Sequence, residues 1–98
     1  MYRPIYEFAS SLPSLAWGEA LVAAEYFAGL ADRLQAVRKL GARAADAEAL
    51  EVLATSYSLV PGRSAGALQA ILEAHRRILG NANSSSVYDA LFATALRS

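Results

Sequence analysis

Hydrophobic positions along this chain recur every three or four residues, and no stretch of β-branched residues alternates with polar ones. Leu68, Ile71, Leu72, Ile78 and Leu79 fall on one helical face, with Gln69, Glu73, Arg76 and Arg77 largely elsewhere. Val87, Tyr88, Leu91, Phe92, Ala95 and Leu96 make a second stripe. In LAWGEALVAAEYFAGLA, the residues Trp17, Ala20, Leu21, Ala24 and Ala28 form one face. Val22 and Tyr26 lie on a different one, and Phe27 extends the apolar arc. A helix apolar over most of its circumference is either central in a bundle or shared with another subunit.

The breaks between these stripes carry helix-start and helix-stop chemistry. Pro4 suits a first helical turn. Pro13 ends one segment and Ser14 can cap the next. Asp32 with Gln35 reads as an approximate capping box. The stretch VPGRS, from Val60 to Ser64, is a turn with Ser64 as the N-cap of the next helix. Gly80 and Asn81 both tolerate positive φ at a helix end, and Asn83 or Ser84 can cap the final helix. The pattern predicts helices over 3–12, 15–30, 32–44, 46–58, 64–79 and 84–97. The stretch 32–58 has two readings: one long helix kinked at Gly41, or two helices with Asp46 capping the second. The predicted fold is all-α, a compact bundle of about five to six short helices in a single domain over 1–98.

Composition sharpens this picture. Hydrophobic residues make up 55% of the 98 and charged ones 18%, which points to apolar surface that meets a partner or self-associates in isolation. Formal net charge is zero, so strong direct nucleic-acid binding is not expected. Arg33, Arg38, Lys39 and Arg43 cluster, but Asp32, Asp46 and Glu48 flank them, so a solvated helix face competes with a phosphate-contacting patch. No cysteine is present, which excludes disulfides and thiolate metal sites. The opening MYRPIYEFASS lacks the basic-then-apolar order of a secretory signal, and no apolar run is long enough to span a bilayer. A cytoplasmic, non-membrane protein is expected.

No catalytic constellation is visible. His75 is the single histidine and falls beside the buried stripe of its helix, without a second ligand or a positioned acid. Ser84, Ser85 and Ser86 have no base nearby and read as capping chemistry before an apolar helix. GRSAG is too short for a phosphate loop and lacks a preceding strand. Neither a cofactor nor a metal is expected, and the chain does not read as an enzyme.

Two segments resemble a known family. AILEAHRRILGNANSSSVYDALFATAL is similar to the end of bacterial DNA polymerase III clamp-loader subunits, most of all the delta-prime subunit's C-terminal domain, with gamma/tau next. Asn81 and Asn83 match that family's Asn-x-Asn element, and Ala90, Leu91 and Leu96 match its closing helix. The family's usual Pro after the second Asn is Ser84 here. Upstream, Trp17, Ala20, Leu21, Ala24 and Glu25 match a Trp-x-x-Ala-Leu-x-x-Ala-Glu helix. The resemblance implies a collar domain without catalysis, which associates with the collar domains of other clamp-loader subunits and holds their ATPase modules together in DNA replication. It further implies that ATPase-type modules precede this segment in a full-length subunit. Trp17, Leu21, Tyr26, Phe27, Tyr88, Leu91, Phe92 and Leu96 are then core or interface residues, and Asn81 and Asn83 structural residues of the turn. An unrelated helical protein-interaction module is the alternative. A DNA-binding domain using Arg33–Arg43 ranks behind it, and a small helical enzyme last.

Overall fold

The computed structural model describes residues 2–97. Five α-helices follow in order: α1 (Arg3–Ser11), α2 (Ala20–Arg38), α3 (Ala42–Tyr57), α4 (Ala65–Leu79) and α5 (Ser84–Ala95). Two single 3₁₀ turns, Leu12–Ser14 and Trp17–Glu19, join α1 to α2. The chain is an all-α bundle, with no strand among the described residues. Its Cα radius of gyration is 12.0 Å, close to the roughly 13 Å expected of a compact chain this long.

Several expected boundaries move. Ser14 does not cap α2, because its hydroxyl donates to the Ser11 carbonyl at 2.8 Å. Leu15 and Ala16 are extended instead, and the Glu19 carboxylate accepts the Ala16 N–H at 2.9 Å before the α-helix begins. Helix α2 then runs unbroken through Asp32, which was expected to start a new helix. A polar pair three residues apart caps a helix only where the backbone before it is extended. Leu30, Ala31 and Leu34, all buried, hold the helix together on either side of Asp32. The real stop is Lys39, in the left-handed region at φ 55°, with the Leu40 N–H returning to the Gln35 carbonyl at 3.2 Å. Gly41 is the extended N-cap of α3, so Asp46 lies inside that helix and does not cap it.

Helix α3 is the hub of the bundle and packs against α1, α2 and α4, while α5 closes it against α2 and α4. Alanines set the close approaches: Ala20, Ala23, Ala24 and Ala31 of α2, Ala45 and Ala49 of α3, and Ala67 and Ala74 of α4 are all buried. Between them sits an aromatic cluster. Phe27 of α2 lies 5.8 Å from Phe8 of α1, 5.8 Å from Phe92 and 5.1 Å from Tyr88, the last two on α5. Phe8 also meets Phe92 edge-on at 5.5 Å. Such geometries add about 0.5–1.5 kcal/mol per pair beyond area burial. Leu50 and Leu53 of α3 and Ile71 and Ile78 of α4 complete the core.

On α4 the buried stripe is Ala67, Ile71, Ala74 and Ile78, whereas Leu72 and Leu79, expected on the same face, stand exposed. Ser64 caps α4 as the turn sequence predicts, its hydroxyl accepting the Ala67 N–H at 2.9 Å. The α4–α5 connection is a Schellman turn. Ala82 N–H bonds the Arg77 carbonyl at 3.0 Å and Asn81 N–H the Ile78 carbonyl at 3.1 Å, with Asn81 itself left-handed at φ 72°. Asn83 Oδ1 then accepts the Ser86 N–H at 3.1 Å and caps α5. The Asn81 side chain accepts from Arg43, tying this turn to the start of α3.

Phe92→Ala should cost about 3–5 kcal/mol, since a fully buried ring leaves a cavity. Asn83→Ala should cost about 1 kcal/mol, the scale of a lost cap. Gly29→Ala should instead stabilise by about 0.5–1 kcal/mol, because Gly29 is mid-helix with nothing within 4 Å of the added methyl. Denaturant unfolding of the three variants checks this order, and a silent Phe92→Ala would contradict the packing described.

Candidate interaction surface

The residues expected at core or interface separate into two groups. Phe27, Tyr88, Leu91 and Phe92 are buried, and Leu96 is half-buried. Trp17, Leu21 and Tyr26 lie outside, 51%, 64% and 54% exposed, together with Val22 at 68%. Trp17 and Leu21 therefore do not share the buried face with Ala20 and Ala24, as the periodicity suggested. The core-facing arc of α2 is centred on Phe27 and includes Ala23, Leu30 and Leu34. A window rich in alanine fits several helical faces equally well, and the packing of α1 and α5 on Phe27 selected one.

Leu21, Val22 and Tyr26 lie within the first two turns of the longest helix, Trp17 lies in the 3₁₀ turn that leads into it, and Glu25 stands exposed among them. Other exposed apolar residues are more widely spaced: Val37 lies at the far end of α2, Leu59 follows α3, and Leu72 and Leu79 lie two turns apart on α4. Scattered singles are ordinary, whereas a contiguous apolar patch marks an interaction site. The Trp17 ring is held in place. Its Nε1–H donates to the Ala93 carbonyl of α5 at 3.1 Å, and the Arg97 guanidinium lies 5.0 Å above the ring. A surface aromatic fixed in this way loses little conformational freedom on binding.

Beside the patch runs a groove of about 370 Å³ between α1 and the start of α2. It exists because α1 leans mainly on α3 and meets α2 along a narrower seam. Phe8 forms its inner wall and Tyr26 its outer one, their rings 5.4 Å apart.

Of the basic cluster, Arg38 has an acidic partner and Arg43 a neutral one, and a further arginine, Arg76 on α4, is also ion-paired. Arg38 pairs with Glu48 at 3.0 Å, Arg43 donates to Asn81, and Arg76 chelates Glu73 with its shortest contact at 2.6 Å. His75 is half-buried on α4. Among the described residues no group of three or more His, Cys, Asp or Glu side chains converges as a metal site would require. No helix among them is long and apolar enough to cross a membrane. The Ser84–Ser86 tract forms the first turn of α5, which Asn83 caps.

The most perturbed ionisable groups form one structural contact that sequence reading passed over. Tyr88 projects its ring into the aromatic cluster and donates its hydroxyl to Asp46 of α3 at 2.5 Å. Burial, then the bond to Asp46, pushes the phenol well above its ordinary range. Burial also raises the Asp46 carboxyl above its ordinary value, against the opposing effect of the Tyr88 bond, with Asp32 adding to the rise. The only sequence signal for this pair was a polar residue inside a helix where an N-cap had been expected.

No family model matches the chain, and no significant match appears among curated proteins or solved structures.

The raised Asp46 value gives a pH signature. A carboxyl that holds its proton more tightly in the folded state contributes stability below its unfolded pKa, and loses that contribution as pH climbs through the folded value. Asp46→Asn should therefore gain on the parent chain as pH rises from about 3.8 through that window. Urea unfolding at a series of pH values checks it, and a difference that is flat or of opposite slope refutes it.

Proposed function

We propose that this chain is a non-catalytic assembly domain of a bacterial replication clamp loader, with the delta-prime C-terminal collar domain as the nearest counterpart. Its work is to bury helical surface against the collar domains of neighbouring subunits in the cytoplasm, and so hold their ATPase modules together for sliding-clamp loading. The observation that carries an assembly role is the exposed cluster of Trp17, Leu21, Val22 and Tyr26 on an otherwise well-packed bundle. Trp and Tyr are among the usual anchors of protein interfaces, and Trp17 is held in place against α5.

The clamp-loader identity is supported by the two resembling segments, the Trp17–Glu25 helix start and the Asn81–Leu96 turn and helix. They lie side by side here, joined by the bond from Trp17 to the Ala93 carbonyl. A formal net charge of zero supports an assembly role over DNA binding, since a neutral chain has little net charge with which to release counterions.

Mixing the chain with the clamp-loader ATPase subunit of the same genome should give a stoichiometric complex in sedimentation velocity at micromolar concentrations. Leu21→Glu should weaken it at least about tenfold while leaving the helical spectrum and melting temperature unchanged, because Leu21 contributes little to the core. Absence of a complex at tens of micromolar, or a complex indifferent to Leu21→Glu, would count against the reading. Tight duplex-DNA binding with a steep salt slope would replace it.

A further inference from the structure

We infer that the groove between α1 and α2 receives a basic amphipathic helix of a partner protein. The inference rests on reading this face as an interaction surface, but not on the clamp-loader identity. Two observations lead to it. Phe8, Leu15, Val22 and Tyr26 give the groove an apolar lining. Among the described residues that line it, the charged ones are Glu7 and Glu19, both carboxylates. Glu25 adds a third acid on the outward face of α2, within one turn of Val22 and Tyr26. Of these acids Glu7 makes an ion pair, with Arg3 at 3.7 Å, both side chains mostly in water. Such a pair is worth little and exchanges readily for another cation. Glu19 spends Oε1 on the Ala16 N–H.

The shape selects a helix. Val22 and Tyr26 wall the groove yet stay more than half exposed, so it opens onto the outer face of α2 and continues the apolar surface toward Leu21. A small ligand seated inside would leave that surface wet. A helix, about 10 Å across, would fill the groove with one row of anchors and cover Val22 and Tyr26. An added strand has nothing to pair with, since the described residues form no sheet. The charge selects the partner over a second copy of this chain. A two-fold contact through this face would set its carboxylates against a copy of the same face, whose groove lining, among the described residues, carries carboxylates and no cation to meet them, and like charges across an interface are strongly disfavoured. A helix with leucine-type anchors on one face and Lys or Arg on both flanks meets each acid with a cation.

The test uses the intact chain and two labelled synthetic helical peptides read by fluorescence anisotropy. Both carry the same leucine anchors at i, i+3, i+4 and i+7; one has Lys and Arg flanks and the other Glu. The basic peptide should bind at least about tenfold more tightly at low ionic strength, with the preference shrinking as salt is added. The triple variant Glu7→Gln, Glu19→Gln, Glu25→Gln should bring the two peptides to near-equal binding. Gln keeps a carbonyl oxygen for the Ala16 N–H, so the start of α2 is retained, and an unchanged melting curve verifies this. Tyr26→Asp should remove binding of both peptides, while Leu72→Asp, on α4, should alter neither.

Equal binding of the two peptides by the parent chain, no binding of the basic one, or a preference that survives the triple variant each overturns the inference. So does sedimentation showing a dimer of this chain that Val22→Asp dissociates. Loss of the clamp-loader complex with peptide preference intact would sink the proposed function alone. The reverse outcome would sink this inference alone.

Discussion

Phe27 has ring neighbours on α1 and α5, and the placement of both helices depends on reaching it. A ring with no exposed surface can be covered only if the flanking residues are small enough to let other helices come close. Ala20, Ala23, Ala24 and Ala31 supply that on α2. The rings of Phe8, Tyr88 and Phe92 all meet Phe27, and rotating α2 about its axis would break those three contacts at once. This constraint sets which residues of α2 face water. With Phe27 inward, Leu21, Val22 and Tyr26 turn about 100° or more away from the core-facing direction.

That outward arc is costly for a domain on its own. Leaving a large apolar side chain half in water forgoes on the order of 1 kcal/mol of burial for each one. A 98-residue chain has little stability to spare. The fold accommodates the cost by close alanine packing, and it holds Trp17 against α5. The groove has the same origin. Because α1 is held mainly by α3, its contact with α2 stays narrow, and a cleft opens where the two helices diverge.

Polar groups close the remaining gaps with few charges involved. No charged side chain is fully buried, and no buried side-chain nitrogen or oxygen lacks a partner among the described residues. Tyr88 reaches out of the core to Asp46 and so fastens α5 to α3. Tyr57 does similar work at the α3–α4 turn, its hydroxyl accepting the Ser64 N–H at 2.9 Å. Arg43 joins the far end of α3 to the Schellman turn. Three such contacts orient helices that alanine packing alone would leave able to slide.

By itself, the sequence determined the class of fold and the positions where local chemistry is decisive. The caps at Ser64 and Asn83 and the left-handed Asn81 could be read directly, because a cap or a turn depends on a few adjacent residues. The α5 stripe of Val87, Tyr88, Leu91 and Phe92 was equally legible, since its apolar residues are large and its polar ones distinct. Tertiary structure alone decided the length of α2, its outward face and the groove. Asp32 and Gln35 have the spacing of a helix start, yet burial on both sides carried α2 past them to Lys39, which has no sequence signal for the left-handed conformation it adopts. Trp17, Leu21 and Tyr26 could be named as core or interface but not divided, because an alanine-rich helix has no single apolar face until a neighbour packs against it. The groove and its acidic rim were not visible at all. They bring Glu7 of α1 together with Leu15 of the loop and Val22 of α2, and only the way α1 leans on α3 places those three around one cleft.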